Sequence, residues 1–155
     1  LPVANELALS PSELVVKVVR LRFAEEVPLL LETIFIPTTL CPGLETADLQ
    51  RQSLYQLLEE QYELRLERAR QTLEATVANE YEAALFGLPT GFPMILLAGI
   101  TYTEHNRPVE YFKAIYRGDR VRFALESHRN GFDAQPIQQL THQSALVPII
   151  DSSLN

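Results

Sequence analysis

The chain is short of cysteine, of basic charge and of long apolar runs, and each shortage closes off a class of protein. One cysteine, Cys41, among 155 residues leaves no internal disulfide. Stability must then come from a packed core, and a reducing, cytoplasmic location suits the composition. No apolar run approaches the ~20 residues of a membrane-spanning helix. The opening LPVANELALSP shows neither the charged leader nor the apolar core of a secretory signal. Thirteen Lys and Arg stand against twenty Asp and Glu, for a net charge of -7. Direct nucleic-acid binding wants a basic face, so this chain suits an anion only at a local cationic pocket. The six glycines are dispersed, and no phosphate-cradling loop is present. His105, His128 and His142 lack metal-ligand spacing, and no Ser-His-Asp or Cys-His constellation is spaced for nucleophilic catalysis. His105 reads as a solvated turn residue and Cys41 as an inert thiol in a loop. No metal or cofactor is expected.

What is present is an ordinary globular balance, 46% hydrophobic and 21% charged, on a length that fits one domain. Residues 1–12 read as a linker, residues 13–130 as the domain, and residues 131–155 as a tail with one short ordered element near LVPII. β-Branched density marks strands over 13–23 and 28–36, joined by a polar turn. A helical period covers 48–62, with Ser53 and Gln56 matching a capping box that would start the main helix at Ser53. A strand over 64–78 follows, then a short helix over 79–86 that Asn79 caps and Gly87 ends. Further strands are expected over 93–103, 109–117 and 120–128, with HNRP as a turn. The order β-β-α-β-α-β-β-β, with hairpin connections, points to an α+β domain. It would be a mainly antiparallel sheet with helices to one side.

Three charges sit inside the first two strands: Arg20, Arg22 and Glu32. A charge in a buried strand is costly unless it is paired or binds something. Strand alternation puts Arg20 and Arg22 on one face, and a hairpin symmetric about Glu26 sets Arg20 opposite Glu32. A plain cross-strand ion pair explains the observation as well as a ligand site does. Ser53 and Tyr55 open a helix, where free N–H groups suit a phosphate or carboxylate, although Ser53 taken by itself is better explained as a cap. Glu110 shares a strand face with Phe112, Ala114 and Tyr116. It either reaches a polar ligand or touches solvent at the strand start. Together these residues describe a binding pocket rather than a catalytic site.

The segments VVRLRFAEEVPLLLETIFIP, LCPGLETADLQRQSLYQLLEEQY, YEAALFGLPTGFPMILLAGITYTEHNRPVEY and PVEYFKAIYRGDRVRF occur in that order. In them the chain resembles the UTRA domain, the effector-binding part of HutC-type GntR transcription regulators, over residues 13 to 128. The resemblance implies a fold similar to chorismate lyase, an antiparallel sheet with helices packed on it. It also implies a small anionic effector such as a sugar phosphate or amino-sugar phosphate. Arg20, Arg22, Ser53 and Tyr55 would hold the anion; Glu32, Glu110 and Tyr116 would hold the sugar end. A homodimer is implied too, with exposed strand edges available for pairing. Operator DNA would be met only through a separate N-terminal winged helix-turn-helix domain, to which residues 1–12 would be the linker. Two other readings compete: an enzyme of the chorismate lyase type, and a purely structural dimerisation module. The second would leave Arg20, Arg22, Ser53 and Tyr55 without a joint purpose.

Overall fold

A computed structural model describes residues 2–125 and 146–150. β1 (Val15–Ala24) and β2 (Val27–Pro37) form an antiparallel hairpin. Its turn residues Glu25 and Glu26 both adopt left-handed backbone, φ 48 and 69, as a two-residue turn matched to strand twist requires. That turn alone would not put Arg20 opposite Glu32. A bulge between Arg22 and Phe23 shifts the register by one residue, and beyond it Arg20 faces Glu32. The bulge therefore sets which face the charges occupy.

β3 (Leu66–Val77), β4 (Pro93–Thr103) and β5 (Pro108–Arg117) complete a five-stranded sheet in the order β1-β2-β5-β4-β3. Every pairing is antiparallel. The domain is α+β, as expected from the element order. The helices differ from expectation: they cover both faces. On the front, Ile34, Ile36, Leu97, Phe112 and Ala114 pack with Leu54 and Leu58 of α2 (Leu54–Glu60). On the rear, Leu31 and Met94 pack with Ala83 and Phe86 of α3 (Glu80–Phe86). Both parities of β2 and β4 are apolar, so each face needs its own cover.

α2 is shorter than the 48–62 period and starts where the Ser53 cap places it. Asp48 accepts the Gln50 amide at 3.3 Å, and its carbonyl accepts from the Arg51 and Gln52 amides. These local turns compete with helix and hold 48–52 as a loop. α3 follows expectation: Asn79 and Glu82 form a reciprocal capping box, and Gly87 ends the helix at φ 66. In the stretch read as a linker, α1 (Pro2–Glu6) forms and Leu7 is buried.

β6 (Val121–Leu125) leaves the main sheet and pairs antiparallel with β7 (Leu146–Ile150), which contains the LVPII stretch. The rest of the strand expected to reach 128 lies outside the described residues. So does the rest of the 131–155 tail, together with His128 and His142. No helix among the described residues is long and apolar enough to cross a membrane.

Candidate functional site

The front of the sheet is not wholly covered. Between it and the loop entering α2 lies a cleft of about 520 Å³. Arg20 and Arg22 line one wall; Glu32, Ala114 and Tyr116 lie on the adjoining strands; residues 49–55 form the opposite wall. Six of the seven residues read from the sequence as site residues line it: Arg20, Arg22, Glu32, Ser53, Tyr55 and Tyr116. Glu110 does not.

The two arginines converge on one carboxylate oxygen. Arg20 approaches Glu32 Oε2 through Nε at 3.0 Å and through Nη2 at 2.8 Å. Arg22 Nε lies 3.5 Å from the same oxygen. The Arg20 and Glu32 side chains are each 16% exposed, whereas Arg22 is 53% exposed. Two guanidinium groups share one carboxylate, which leaves a surplus positive charge concentrated at Arg22. A forked guanidinium with free donors suits a carboxylate or phosphate.

Below this wall, Tyr55 donates its hydroxyl to Glu110 Oε1 at 2.7 Å, and Thr101 donates to the same oxygen at 2.7 Å. Glu110 is fully buried, and its Oε2 has no hydrogen-bond partner among the described residues. The alternative of a solvent-touching strand start is thereby corrected: the β4–β5 register sets Glu110 across from Thr101 in mid-sheet. Burial pushes the Glu110 carboxyl up to about 7; the Thr101 and Tyr55 hydrogen bonds pull the other way. Burial next to that carboxylate also holds the Tyr55 phenol well above its ordinary range. Tyr116, edge-on to Phe123 with ring centroids 5.1 Å apart, is raised to about 12 by burial and then by the Glu32 charge.

Ser53 caps α2, accepting the Gln56 amide at 3.5 Å. Only half of the expected capping box forms, because the Gln56 side chain donates to Glu60 at 2.9 Å instead. Cys41 is fully buried and its thiol is raised to about 11 by desolvation, so it is a packing residue. His105 is exposed. No group of three or more metal-ligating side chains occurs among the described residues.

Sequence reading missed Thr101 and the lining residues Gln50, Arg51, Gln52 and Gln71. The HNRP turn alone would not have revealed Thr101: beside the turn Tyr102 pairs with Pro108, and a register shift between Thr101 and Tyr102 is what sets Thr101 opposite Glu110. The glutamines carry no signal, since polar residues in a loop and on an edge strand are unremarkable.

Residues 2–122 match the family described as the UTRA domain. The chain is similar to the HTH-type transcriptional repressor NagR of Bacillus subtilis, 34% identical over 107 residues, covering 69% of this chain and 44% of that protein. It is also similar to a probable fructoselysine utilization operon transcriptional repressor of Escherichia coli, 20% identical, covering 83% and 53%. Among solved structures it is similar to a GntR-family transcriptional regulator from Enterococcus faecalis. That structure has a TM-score of 0.74 and 27% identity, covering 80% of this chain and 88% of that one. The chain spans about half the length of the named relatives it matches.

Proposed function

The chain belongs to the UTRA domain family, and from that premise we propose that it is the effector-sensing domain of a GntR-type transcription regulator. Its effector is a small anionic metabolite, a phosphorylated sugar or amino sugar. The cleft carries the reading: about 520 Å³ is room for one small metabolite, with Arg22 exposed in its wall beside the Arg20–Glu32 pair. The anion takes the free donors of Arg22 and draws it from its long contact with Glu32. Gln50, Gln52, Gln71 and Tyr116 offer donors and acceptors for the hydroxyls of a polar body. The names of two relatives, NagR and a fructoselysine utilization repressor, favour a sugar-derived compound.

Control of DNA binding by a separate domain then follows from differential affinity. The effector shifts the regulator only by as much as it prefers one conformation over another. Residues 49–53 are the element suited to differ between the two states, because they wall the cleft and lead into α2.

A thermal-shift panel tests the reading, with hexose 6-phosphates, amino-sugar 6-phosphates and the unphosphorylated sugars. A site filled at about 100 times its dissociation constant adds about 2.7 kcal/mol of stability. The expected result is a rise with one phosphosugar and none with its dephosphorylated form. No shift with any phosphosugar would remove this class of effector.

A further inference from the structure

One residue of the far edge strand reaches the cleft. The sheet order puts β1, with Arg20 and Arg22, at one edge and β3 at the other. Of the β3 residues, Gln71 alone lines the cleft. Its rung runs Val18, Ile34, Phe112, Gly99, Gln71 across the sheet, next to the rung of Arg20, Glu32 and Ala114. Gly99 makes room for it. A β-carbon there would lie 3.0 Å from the Gln71 γ-carbon, so the glutamine stem leans into space that any other residue would fill. Gln71 is half-buried between the exposed Arg70 and Thr72. Its carboxamide has no hydrogen-bond partner among the described residues. Such a group offers both donors and an acceptor, and no charge.

The charges around the cleft limit what Gln71 can meet. Arg20, Arg22 and Arg51 line it against one carboxylate, Glu32. A Glu32 oxygen already serves both Arg20 and Arg22. Glu110 is fully buried, bonded to Tyr55 and Thr101, and does not line the cleft. An ammonium group would enter surroundings of net positive charge and find no carboxylate outside the arginine pair, which is costly. A hydroxyl meets no such penalty. The two edge strands lie about 19 Å apart, at about 4.8 Å per step between neighbours. Long side chains from both edges close much of that span. A ligand anchored by its anion at Arg22 therefore presents its opposite end to Gln71.

We propose that Gln71 is a specificity-determining residue of the cleft: it hydrogen-bonds the end of the effector opposite the anion, and that end carries hydroxyls rather than a free ammonium. Resting on the phosphosugar reading of the cleft, this makes a hexose 6-phosphate the better ligand and its 2-amino-2-deoxy counterpart the poorer one. Specificity is here a difference of affinities, set by what the cationic cleft repels as much as by what Gln71 bonds.

Calorimetric titration of the 155-residue chain tests it with matched pairs. The pairs are glucose 6-phosphate with glucosamine 6-phosphate, and mannose 6-phosphate with mannosamine 6-phosphate. Wild type should bind the hexose of one pair on the order of tenfold more tightly than its amino counterpart. Gln71→Leu should weaken hexose phosphate binding roughly tenfold, the worth of one good hydrogen bond. Gln71→Glu supplies the missing carboxylate and should reverse the order, placing the amino sugar above the hexose. A merely structural glutamine could not produce that reversal, and circular dichroism should show both variants folded. Three results would overturn the assignment while leaving the phosphosugar reading in place: a wild type that prefers the amino sugar, a leucine variant that binds like wild type, or a glutamate variant that keeps the original order. Wild type that binds none of these sugars would remove the phosphosugar reading and this one with it.

Discussion

At the residue scale, the two arginines that share Glu32 have different tasks, and exposure separates them. Arg20 is largely buried and makes both short contacts; Arg22 is half in solvent with one long contact. Arg22→Ala should abolish binding of the phosphosugar while moving stability by no more than about 0.5 kcal/mol. Arg20→Ala strands a mostly buried carboxylate and should cost about 1–3 kcal/mol. Chemical denaturation alongside calorimetric titration distinguishes the two; a stability collapse in the Arg22 variant with binding retained would reverse the assignment. Glu110 gives a second residue-level expectation. Its carboxyl is raised from 4.5 to about 7 in the folded chain, so folding favours the protonated form. Its contribution to stability is present in full below about pH 4.5 and is lost as pH rises through about 7. The loss is on the order of 3 kcal/mol. Glu110→Gln keeps an acceptor for Tyr55 and Thr101 and carries no charge, so this loss between pH 5 and 8 should vanish. If denaturation midpoints of the variant and the wild type fall in parallel, another group is responsible.

At the element scale, close approach of strands explains Gly99 on β4. A β-carbon there would lie 2.5 Å from the Arg70 carbonyl oxygen and 3.1 Å from the Gln71 α-carbon. Both are backbone atoms of β3 and cannot turn aside. Gly99→Ala should therefore cost about 1–3 kcal/mol, and amide exchange should rise along β3 before it rises along β1. The same scale shows what sequence can reveal. The first hairpin was legible because charge, alternation and a polar turn agree, but Arg20 comes opposite Glu32 only through the bulge beside Arg22, which none of these announces. α3 was legible because Asn79 and Gly87 mark its ends. For α2 the Ser53 cap marked the start, whereas the period over 48–62 overreached: Asp48 satisfies backbone amides locally, and hydrophobic period alone cannot weigh that competition. The adjacency of β2 and β5 was not legible either, because it joins strands far apart in sequence and depends on the whole sheet. That pairing brings Tyr116 beside Glu32, so the cleft itself emerges only at the level of tertiary structure.

At the scale of the whole molecule, the cleft spans two parts that the backbone holds independently. One wall belongs to a continuous five-stranded ladder; the other is the loop 49–53, held by short-range turns and by a weak cap at Ser53. A ligand that touches both walls orders the less stable one, and its coupling to the rest of a regulator passes through that ordering. α3 packs on the opposite face of the sheet and touches nothing in the cleft. Hydrogen exchange with and without the phosphosugar should thus slow most at 49–56, while α3 slows only as far as global stability rises. Uniform slowing of both helices would mean that the ligand stabilises the fold without selecting a conformation of the loop. A signal could then not leave the cleft by this route, and coupling would have to run through the β1–β2 hairpin that carries Arg22.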